Sequence, residues 1–219
     1  MPALTTACVL FDLDGTLADT APDLYEALKR LLAEQGRPPV PYGEFRNAVS
    51  HGTRAMLKSG LGIEPGDPDY ALLQQRFLDF YLADIATRTR LFEGMNELLE
   101  RLEAEAIPWG IVTNKPARLT EPLMHGLGLM ARASAIVSGD TTAHAKPHPE
   151  PVLHACRLAG AEPSRTLYLG DAERDIKAGR NAGTRTLVAL FGYLAENDTP
   201  EQWQADGAVA HPLDLLKWL

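Results

Sequence analysis

The sequence contains little cysteine, no long apolar run and no excess of basic residues. Only Cys8 and Cys156 occur among its 219 residues, which argues against a disulfide framework or a cysteine metal site, so we expect two buried free thiols. The net charge of -8 argues against a general nucleic-acid or anionic-membrane surface. No apolar run is long enough for a membrane span, and no basic region precedes the first apolar stretch. These absences indicate a cytoplasmic globular protein.

The pattern along the chain predicts an α/β fold with a doubly wound parallel sheet. A first apolar strand at residues 8–11 is followed by a block with three amphipathic helical stretches. From Phe92 onward, helix alternates with strand, as in a parallel sheet covered by helices. We therefore predict an α/β core at residues 1–19 and 90–219, interrupted by a small helical domain at residues 20–89. The predicted helices of that block are 23–35, 44–59 and 70–88, and the later strands are 109–112, 135–137, 166–169, 186–190 and 208–210.

Two carboxylates follow directly after the first apolar strand. Asp12 and Asp14 are two positions apart, so on an extended chain their side chains point to the same side. The carboxyl ends of parallel strands form the edge of an open α/β sheet at which ligands bind. An ordinary Asp-rich turn is the alternative, because Asp and Gly are common turn residues. The pair is a candidate catalytic site.

Polar clusters also follow later strands of the predicted sheet. Thr113 and Asn114 follow the second core strand, Lys146 precedes a helix that begins near Glu150, and residues 170–175 carry several acids. Each cluster alone is explained equally well by turn or cap chemistry. Together, carboxylates that repel one another require a cation, and oxygen ligands favour Mg²⁺. The donors Thr113, Asn114 and Lys146 suit phosphate oxygens, so the assembly indicates phosphoryl transfer.

With these motifs in order, the chain resembles the haloacid dehalogenase superfamily of phosphatases. The resemblance rests on residues 12–16, Thr113-Asn114, Lys146-Pro147 and the segment from Gly170-Asp171 to Asp175. It implies that Asp12 is a nucleophile that forms an aspartyl-phosphate and that Asp14 is the general acid and base. It also implies Mg²⁺ held by Asp12, the Asp14 backbone carbonyl and Asp171, with Asp175 in support. Thr113, Asn114 and Lys146 would bind the phosphoryl oxygens.

The same resemblance makes the helical block a cap that closes over the site and selects the leaving group. Within it, His51, Gly52 and Arg54 are the candidate substrate contacts, and Arg54 could meet a substrate carboxylate or sugar hydroxyls. A solvated helix arginine and a surface histidine are the competing interpretations. His144, His148 and His154 resemble no metal-ligand set. Dehalogenases of this fold lack the acid at Asp14, which argues against carbon–halogen hydrolysis.

Within the superfamily, the sequence is similar to the phosphoglycolate phosphatases and more so to the bacterial N-acetylmuramic acid 6-phosphate phosphatases of cell-wall recycling. We expect a small-molecule phosphate ester as substrate, no nucleic-acid or membrane partner, and a monomer or homodimer. N-acetylmuramic acid 6-phosphate is favoured over 2-phosphoglycolate. A hexose-phosphate mutase keeps the same motifs and remains an alternative. A non-catalytic regulator is disfavoured because every motif acid is present.

Overall fold

A six-stranded parallel sheet forms the centre of the computed structural model, which describes residues 6–219. Its strands are β1 (Cys8–Phe11), β4 (Trp109–Val112), β5 (Ala135–Val137), β6 (Thr166–Gly170), β7 (Arg185–Ala189) and β8 (Gly207–Val209). Their order in the sheet is β5-β4-β1-β6-β7-β8, and all neighbouring pairs are parallel. The doubly wound α/β fold predicted from the sequence is confirmed.

The first strand is apolar at every position because both faces of the sheet are covered. Val9 and Phe11 belong to one hydrophobic core, and Cys8 and Leu10 belong to a second core on the opposite face. This two-residue alternation is the geometry of a strand, and it explains why the sequence here is a continuous apolar run. The helices of this part of the chain are α5 (Met95–Ala104), α6 (Ala117–Gly126), α7 (Glu150–Leu158) and α8 (Glu173–Ala182).

Between β1 and β4 the chain forms a helical insertion, the name used below for residues 20–89. It contains four helices, whereas the sequence pattern predicted three. The predicted stretch 44–59 is wrong as a single helix, because the chain breaks at Ser50 and His51 and Gly52 adopts a positive φ of 78°. The last helix also ends before the predicted residue 88. The helices are α1 (Ala21–Glu34), α2 (Tyr42–Val49), α3 (Gly52–Leu61) and α4 (Tyr70–Ala83).

A short antiparallel ribbon connects the insertion to the sheet-containing part of the chain. It consists of β2 (Ala18–Asp19) and β3 (Arg90–Leu91), which were not predicted because two-residue strands carry no periodic pattern. Beside it, buried Asp23 accepts hydrogen bonds from the Thr89 backbone N–H and hydroxyl, each at 2.8 Å. This carboxylate therefore ties the start of α1 to the chain segment that returns from α4.

The structure also bears on the expectations from composition. Within residues 6–219 no helix is long and apolar enough to span a membrane. Cys8 and Cys156 are both buried and unpaired, as predicted. Burial, with Cys156 nearby, raises the pKa of Cys8 to about 12, so this thiol stays protonated and acts as a small apolar core residue.

Gly110, in the middle of β4, provides a test of the sheet packing. A Cβ at this position would lie 2.8 Å from the carbonyl oxygen of Ala135 on the neighbouring strand. We expect Gly110→Ala to lower the free energy of unfolding by roughly 1–3 kcal/mol, because the sheet backbone cannot move away without strain. Urea unfolding followed by circular dichroism measures the change. Gly43→Ala in α2 is the control, since a Cβ there meets nothing within 4 Å; equal destabilisation by both changes would contradict the prediction.

Candidate active site

Three neighbouring strands end at the same edge of the sheet, and each is followed by a residue of the predicted site. Strand β1 lies between β4 and β6 in the sheet. Asp12, Thr113 and Asp171, which immediately follow these strands, are therefore brought together although they are distant in the sequence. All three are buried. The continuous apolar strands thus bring together polar side chains, each of which would be too costly to bury alone.

Lys146 lies beneath this edge as the centre of a buried charge cluster. Its Nζ is 2.9 Å from Asp12 Oδ1 and 2.7 Å from Asp175 Oδ1. The same ammonium donates to the Val112 carbonyl at 2.7 Å and to the Tyr168 hydroxyl at 3.0 Å. The Lys146 side chain is fully buried, so these contacts replace its water shell.

Asn114 bonds to the backbone of the residue beside which it was predicted to act. Its Oδ1 accepts from the Lys146 N–H at 2.9 Å, and its Nδ2 donates to the Lys146 carbonyl at 3.0 Å. Asn114 thus fixes the loop that carries the buried ammonium. Thr113 lines the cavity above the site, and its hydroxyl accepts from the Lys115 N–H at 3.1 Å.

Asp12, Asp171 and Asp175 form an acidic cluster whose ligand oxygens all lie within 4.8 Å of one another. Burial raises the pKa of Asp12, against the lowering effect of Lys146. Burial, followed by the charges of Asp12 and Asp175, raises the pKa of Asp171 to about 7. One lysine does not balance three buried acids, so the cluster retains an affinity for a further cation.

The donors of this cluster fit a hard divalent cation. Carboxylate oxygens are the ligands Mg²⁺ prefers, and sulfur and imidazole are absent from the cluster. Asp175 uses Oδ1 for Lys146 and Oδ2 for the Ala172 N–H, at 3.0 Å, so it supports the cluster more than it offers a free oxygen. Asp12 Oδ1 accepts from the Leu13 N–H at 2.7 Å as well as from Lys146, so its second oxygen remains for chemistry.

Asp14 is paired with a different cation, Lys115. Its Oδ1 accepts from the Thr20 hydroxyl at 2.5 Å and from Lys115 Nζ at 2.7 Å. Lys115 in turn lies 4.7 Å from the centre of the Tyr81 ring, on α4 of the helical insertion. Burial raises the pKa of Tyr81 to about 12, so its ring presents a neutral face to the ammonium.

The helical insertion covers the site and contacts it directly. Ser50, between α2 and α3, donates its hydroxyl to Asp171 Oδ2 at 2.8 Å. The same oxygen accepts from the Tyr193 N–H at 2.9 Å. Asp171 therefore receives hydrogen bonds from the insertion and from the loop after β7.

A cavity of about 280 Å³ lies between the insertion and the sheet edge. Asp12 and Asp14 line it from below, and the predicted substrate contacts His51 and Gly52 line it from above. Six apolar side chains form part of its wall: Leu24, Val49, Met56, Leu78, Pro116 and Leu119. The cavity therefore offers both polar and apolar surface to a ligand.

Arg54 is not brought to this cavity. Its guanidinium lies 3.8 Å from Glu64 on the outer surface of α3, and its side chain is 65% exposed. Its side chain leaves the helix on the side away from the site. We do not include it in the substrate site proposed below.

Sequence reasoning assigned no role to Lys115, Ser50 or Arg174, which the structure places at the site. Arg174 lines both the 280 Å³ cavity and a second one of about 460 Å³ on the far side of Asp171. A basic residue inside an otherwise acidic segment was the signal available for Arg174. Ser50 and Lys115 gave no such signal, because their importance comes from contacts across 121 and 101 positions of the chain.

Comparison with protein families shows which family the chain belongs to. Residues 9–189 match the family model described as haloacid dehalogenase-like hydrolase. The chain belongs to this family. The haloacid dehalogenase-like fold accounts for the placement of the four motif segments at one sheet edge, and the chain is a phosphatase of the family.

Individual relatives support the same family and carry two different names. An N-acetylmuramic acid 6-phosphate phosphatase from Pseudomonas putida is 44% identical over 209 residues, covering 95% of this chain and 94% of the relative. A phosphoglycolate phosphatase from Xanthomonas campestris is 42% identical over 207 residues, covering 94% and 93%. The crystal structure of a predicted phosphoglycolate phosphatase from Haemophilus somnus is 25% identical, with a TM-score of 0.86 and 97% coverage of each chain.

The raised pKa of Asp171 predicts that cation binding at the acidic cluster depends on pH. A carboxyl whose pKa is raised from 3.8 to about 7 favours the folded state while protonated, and this contribution is lost as pH rises through 7. Because Mg²⁺ binds the carboxylate form, we expect saturating MgCl₂ to raise Tm more at about pH 8 than at about pH 6. Differential scanning fluorimetry measures both shifts. Asp171→Asn, which cannot titrate, should remove the difference; an identical shift at both pH values in the unaltered protein would contradict this account.

Proposed function

We propose that the protein is a Mg²⁺-dependent phosphomonoester hydrolase that acts through an aspartyl-phosphate on a small acidic phosphorylated metabolite. One observation carries the proposal. Asp12 has one carboxylate oxygen fixed by Leu13 and Lys146, and it faces a cavity that Asp14 also lines. A held nucleophile with a second carboxyl group beside it is the arrangement that covalent phosphoryl transfer requires.

In the first half of the reaction, the second oxygen of Asp12 attacks phosphorus and the bond from phosphorus to the substrate oxygen breaks. Asp14, in its protonated form, gives its proton to the leaving oxygen, so an alcohol departs and an aspartyl-phosphate remains. Lys146 compensates charge at the nucleophile without leaving its buried position. Thr113 and the loop fixed by Asn114 hold the phosphoryl oxygens in place.

In the second half, water attacks phosphorus and Asp14, now a carboxylate, takes a proton from it. The bond from phosphorus to Asp12 breaks, which releases phosphate and restores the nucleophile. Lys115, whose ammonium lies 2.7 Å from Asp14 Oδ1, holds this carboxylate in place. Asp12, Asp171 and the backbone carbonyl of Asp14 would hold Mg²⁺, with Asp175 in support. The ion would neutralise charge between the nucleophile and the phosphoryl group.

Residues 20–89 act as a cap domain in this proposal, and residues 1–19 with 90–219 form the catalytic domain. The ribbon of β2 and β3 forms the connection between them, and Ser50 contacts the acidic cluster from the cap side. The cavity is enclosed by both parts, so a substrate enters when they separate and is isolated from water when they meet.

N-acetylmuramic acid 6-phosphate is the substrate that we favour over 2-phosphoglycolate. The six apolar side chains of the cavity wall suit a substrate that carries methyl groups, and the sugar has two, on its acetamido and lactyl substituents. 2-Phosphoglycolate has none and would leave this wall in contact with water. The relatives named for the sugar phosphate, at 43–44% identity, support the same choice.

The roles of the two aspartates are separable by trapping. Asp12→Asn should abolish hydrolysis of every phosphomonoester and leave no phosphate bound to the protein, because the amide cannot act as the nucleophile. Asp14→Asn should slow turnover by on the order of 100-fold or more, while a substrate with a good leaving group still phosphorylates Asp12. Intact-protein mass spectrometry after rapid quenching measures the adduct. Hydrolysis at the parental rate by the Asp12→Asn protein would refute the mechanism.

Substrate choice is tested by narrowing the cavity. Thr53 lines its wall, whereas Lys58 lies on the exposed side of the same helix with its ammonium on Glu64. We expect Thr53→Phe to lower kcat/KM for N-acetylmuramic acid 6-phosphate at least about 10-fold more than for 2-phosphoglycolate, because only the larger substrate needs the occupied volume. Lys58→Phe is the matched control and should change neither value.

Free phosphate release from both substrates, beside an aryl phosphate, completes this test. The unaltered protein should prefer the sugar phosphate. A preference for 2-phosphoglycolate would make that compound the favoured substrate. If neither substrate is preferred over the aryl phosphate, both substrate assignments are contradicted. Migration of phosphate within a sugar without its release would indicate a mutase.

A further inference from the structure

Arg174 lies in the first turn of α8, three positions beyond Asp171, and its guanidinium group lines the cavity that contains Asp12. It also lines the second cavity, on the other side of Asp171. The side chain is half-buried, so it is a part of the wall between the two cavities and not a surface group.

This arginine has no protein partner within the described chain. Its Nε is buried without a hydrogen-bond acceptor, and no carboxylate of residues 6–219 lies within ion-pair distance of it. A buried donor without an acceptor is costly, and a guanidinium group offers five donors. The side chain is therefore arranged for an acceptor that the protein itself does not provide.

The guanidinium is nevertheless held in the field of the acidic cluster. Burial disfavours its charged form, but the carboxylates of Asp175, Asp12 and Asp171 outweigh this effect and raise the pKa of Arg174. It is thus a permanent cation that is drawn toward these acids without touching them. Arg174 and Asp12 both line the same cavity.

The other cations of the site are already engaged. Lys146 contacts Asp12 and Asp175, and Lys115 contacts Asp14. Arg46, on α2, donates to the Gly192 carbonyl at 3.3 Å and stacks on the ring of Tyr193. Arg174 is the cavity-lining guanidinium whose donors remain available.

We propose that Arg174 is a catalytic residue that donates hydrogen bonds to the phosphoryl oxygens of the substrate. The inference rests on the proposed function, because it is the attack of Asp12 that brings a phosphoryl group into this space. A planar guanidinium matches two oxygens of a phosphoryl group at once, which an ammonium cannot do. Charge on those oxygens is distributed through the transition state, so a fixed cation beside them lowers the barrier. No bond to Arg174 forms or breaks.

The group recognised is the phosphoryl group and not a carboxylate elsewhere on the substrate. The acids that act on Arg174 are the nucleophile and its two neighbours in the acidic cluster. The substrate group that approaches all three acids is the phosphoryl group that Asp12 attacks. A distant carboxylate would lie further up the cavity, toward the helices of the insertion.

Three variants test the assignment. Arg174→Gln removes the charge, Arg174→Lys keeps the charge but not the paired donors, and Arg180→Gln alters an exposed arginine of the same helix that bonds to Gln204. Each Mg²⁺-loaded protein is assayed with N-acetylmuramic acid 6-phosphate and with N-acetylglucosamine 6-phosphate, which lacks the lactyl carboxylate. Binding of inorganic phosphate is measured separately by isothermal titration calorimetry.

We expect Arg174→Gln to lower kcat/KM by on the order of 100-fold for both substrates alike, and to weaken phosphate binding as well. Arg174→Lys should recover part of each loss, and Arg180→Gln should match the unaltered protein. Unchanged kinetics and phosphate binding in Arg174→Gln would overturn the proposal. A loss confined to the carboxylate-bearing sugar would also overturn it, because Arg174 would then recognise that carboxylate.

Two further measurements separate this proposal from the others. If Arg174→Gln does not fold, as judged by circular dichroism, Arg174→Lys is compared with Arg180→Lys, and equal phosphate affinity in these two overturns the assignment. If the unaltered protein hydrolyses no phosphomonoester, the proposed function fails by itself. An unaltered protein that is active beside an equally active Arg174→Gln defeats only the role of Arg174.

Discussion

The buried ammonium of Lys146 is the interaction on which the active site depends. It joins Asp12, Asp175 and the backbone at the end of β4, so it connects three segments that are far apart in the sequence. Without it, the edge of the sheet would contain buried acids with no cation of their own, a costly arrangement. The loop that supplies it is fixed in turn by the two hydrogen bonds from Asn114. The same contacts therefore determine both the geometry of the catalytic groups and the local stability.

Much of the sheet was predictable because the sequences of buried parallel strands are continuous apolar runs. Residues 8–11, 109–112 and 135–137 coincide with β1, β4 and β5. Strand β6 ends one residue later than predicted, and β7 and β8 each begin and end one residue earlier. The helical insertion was predicted less well. Its amphipathic pattern continues across Ser50 and His51, so periodicity contains no break where the structure has one. The positive φ of Gly52 marks the turn between the two helices. The ribbon of β2 and β3 is too short for any pattern.

The residues of the candidate site were likewise predictable only in part. Residues that act at a strand end, such as Asp12 and Thr113, were recognisable because strand ends can be found from the sequence. Lys115 and Ser50 were not assigned roles, since a lysine or serine gains its meaning from the carboxylate that it reaches across the fold. Arg54, a predicted substrate contact, is not brought to the cavity: it lies on the outer surface of α3 and meets Glu64. Residue type and position along the chain do not specify the direction of a helical side chain.

The contact between Ser50 and Asp171 has a consequence for the timing of events at the site. One carboxylate oxygen accepts both a donor from the insertion and a backbone N–H from the loop after β7. A change in the charge or orientation of Asp171 therefore alters its hydrogen bond with the insertion, and withdrawal of the insertion removes a donor from Asp171. Coupling of this kind is reciprocal. If occupancy at Asp171 shifts the equilibrium position of the insertion, the position of the insertion changes the affinity at Asp171 by the same factor. The hydrogen bond from Ser50 therefore links the position of the insertion to the state of Asp171.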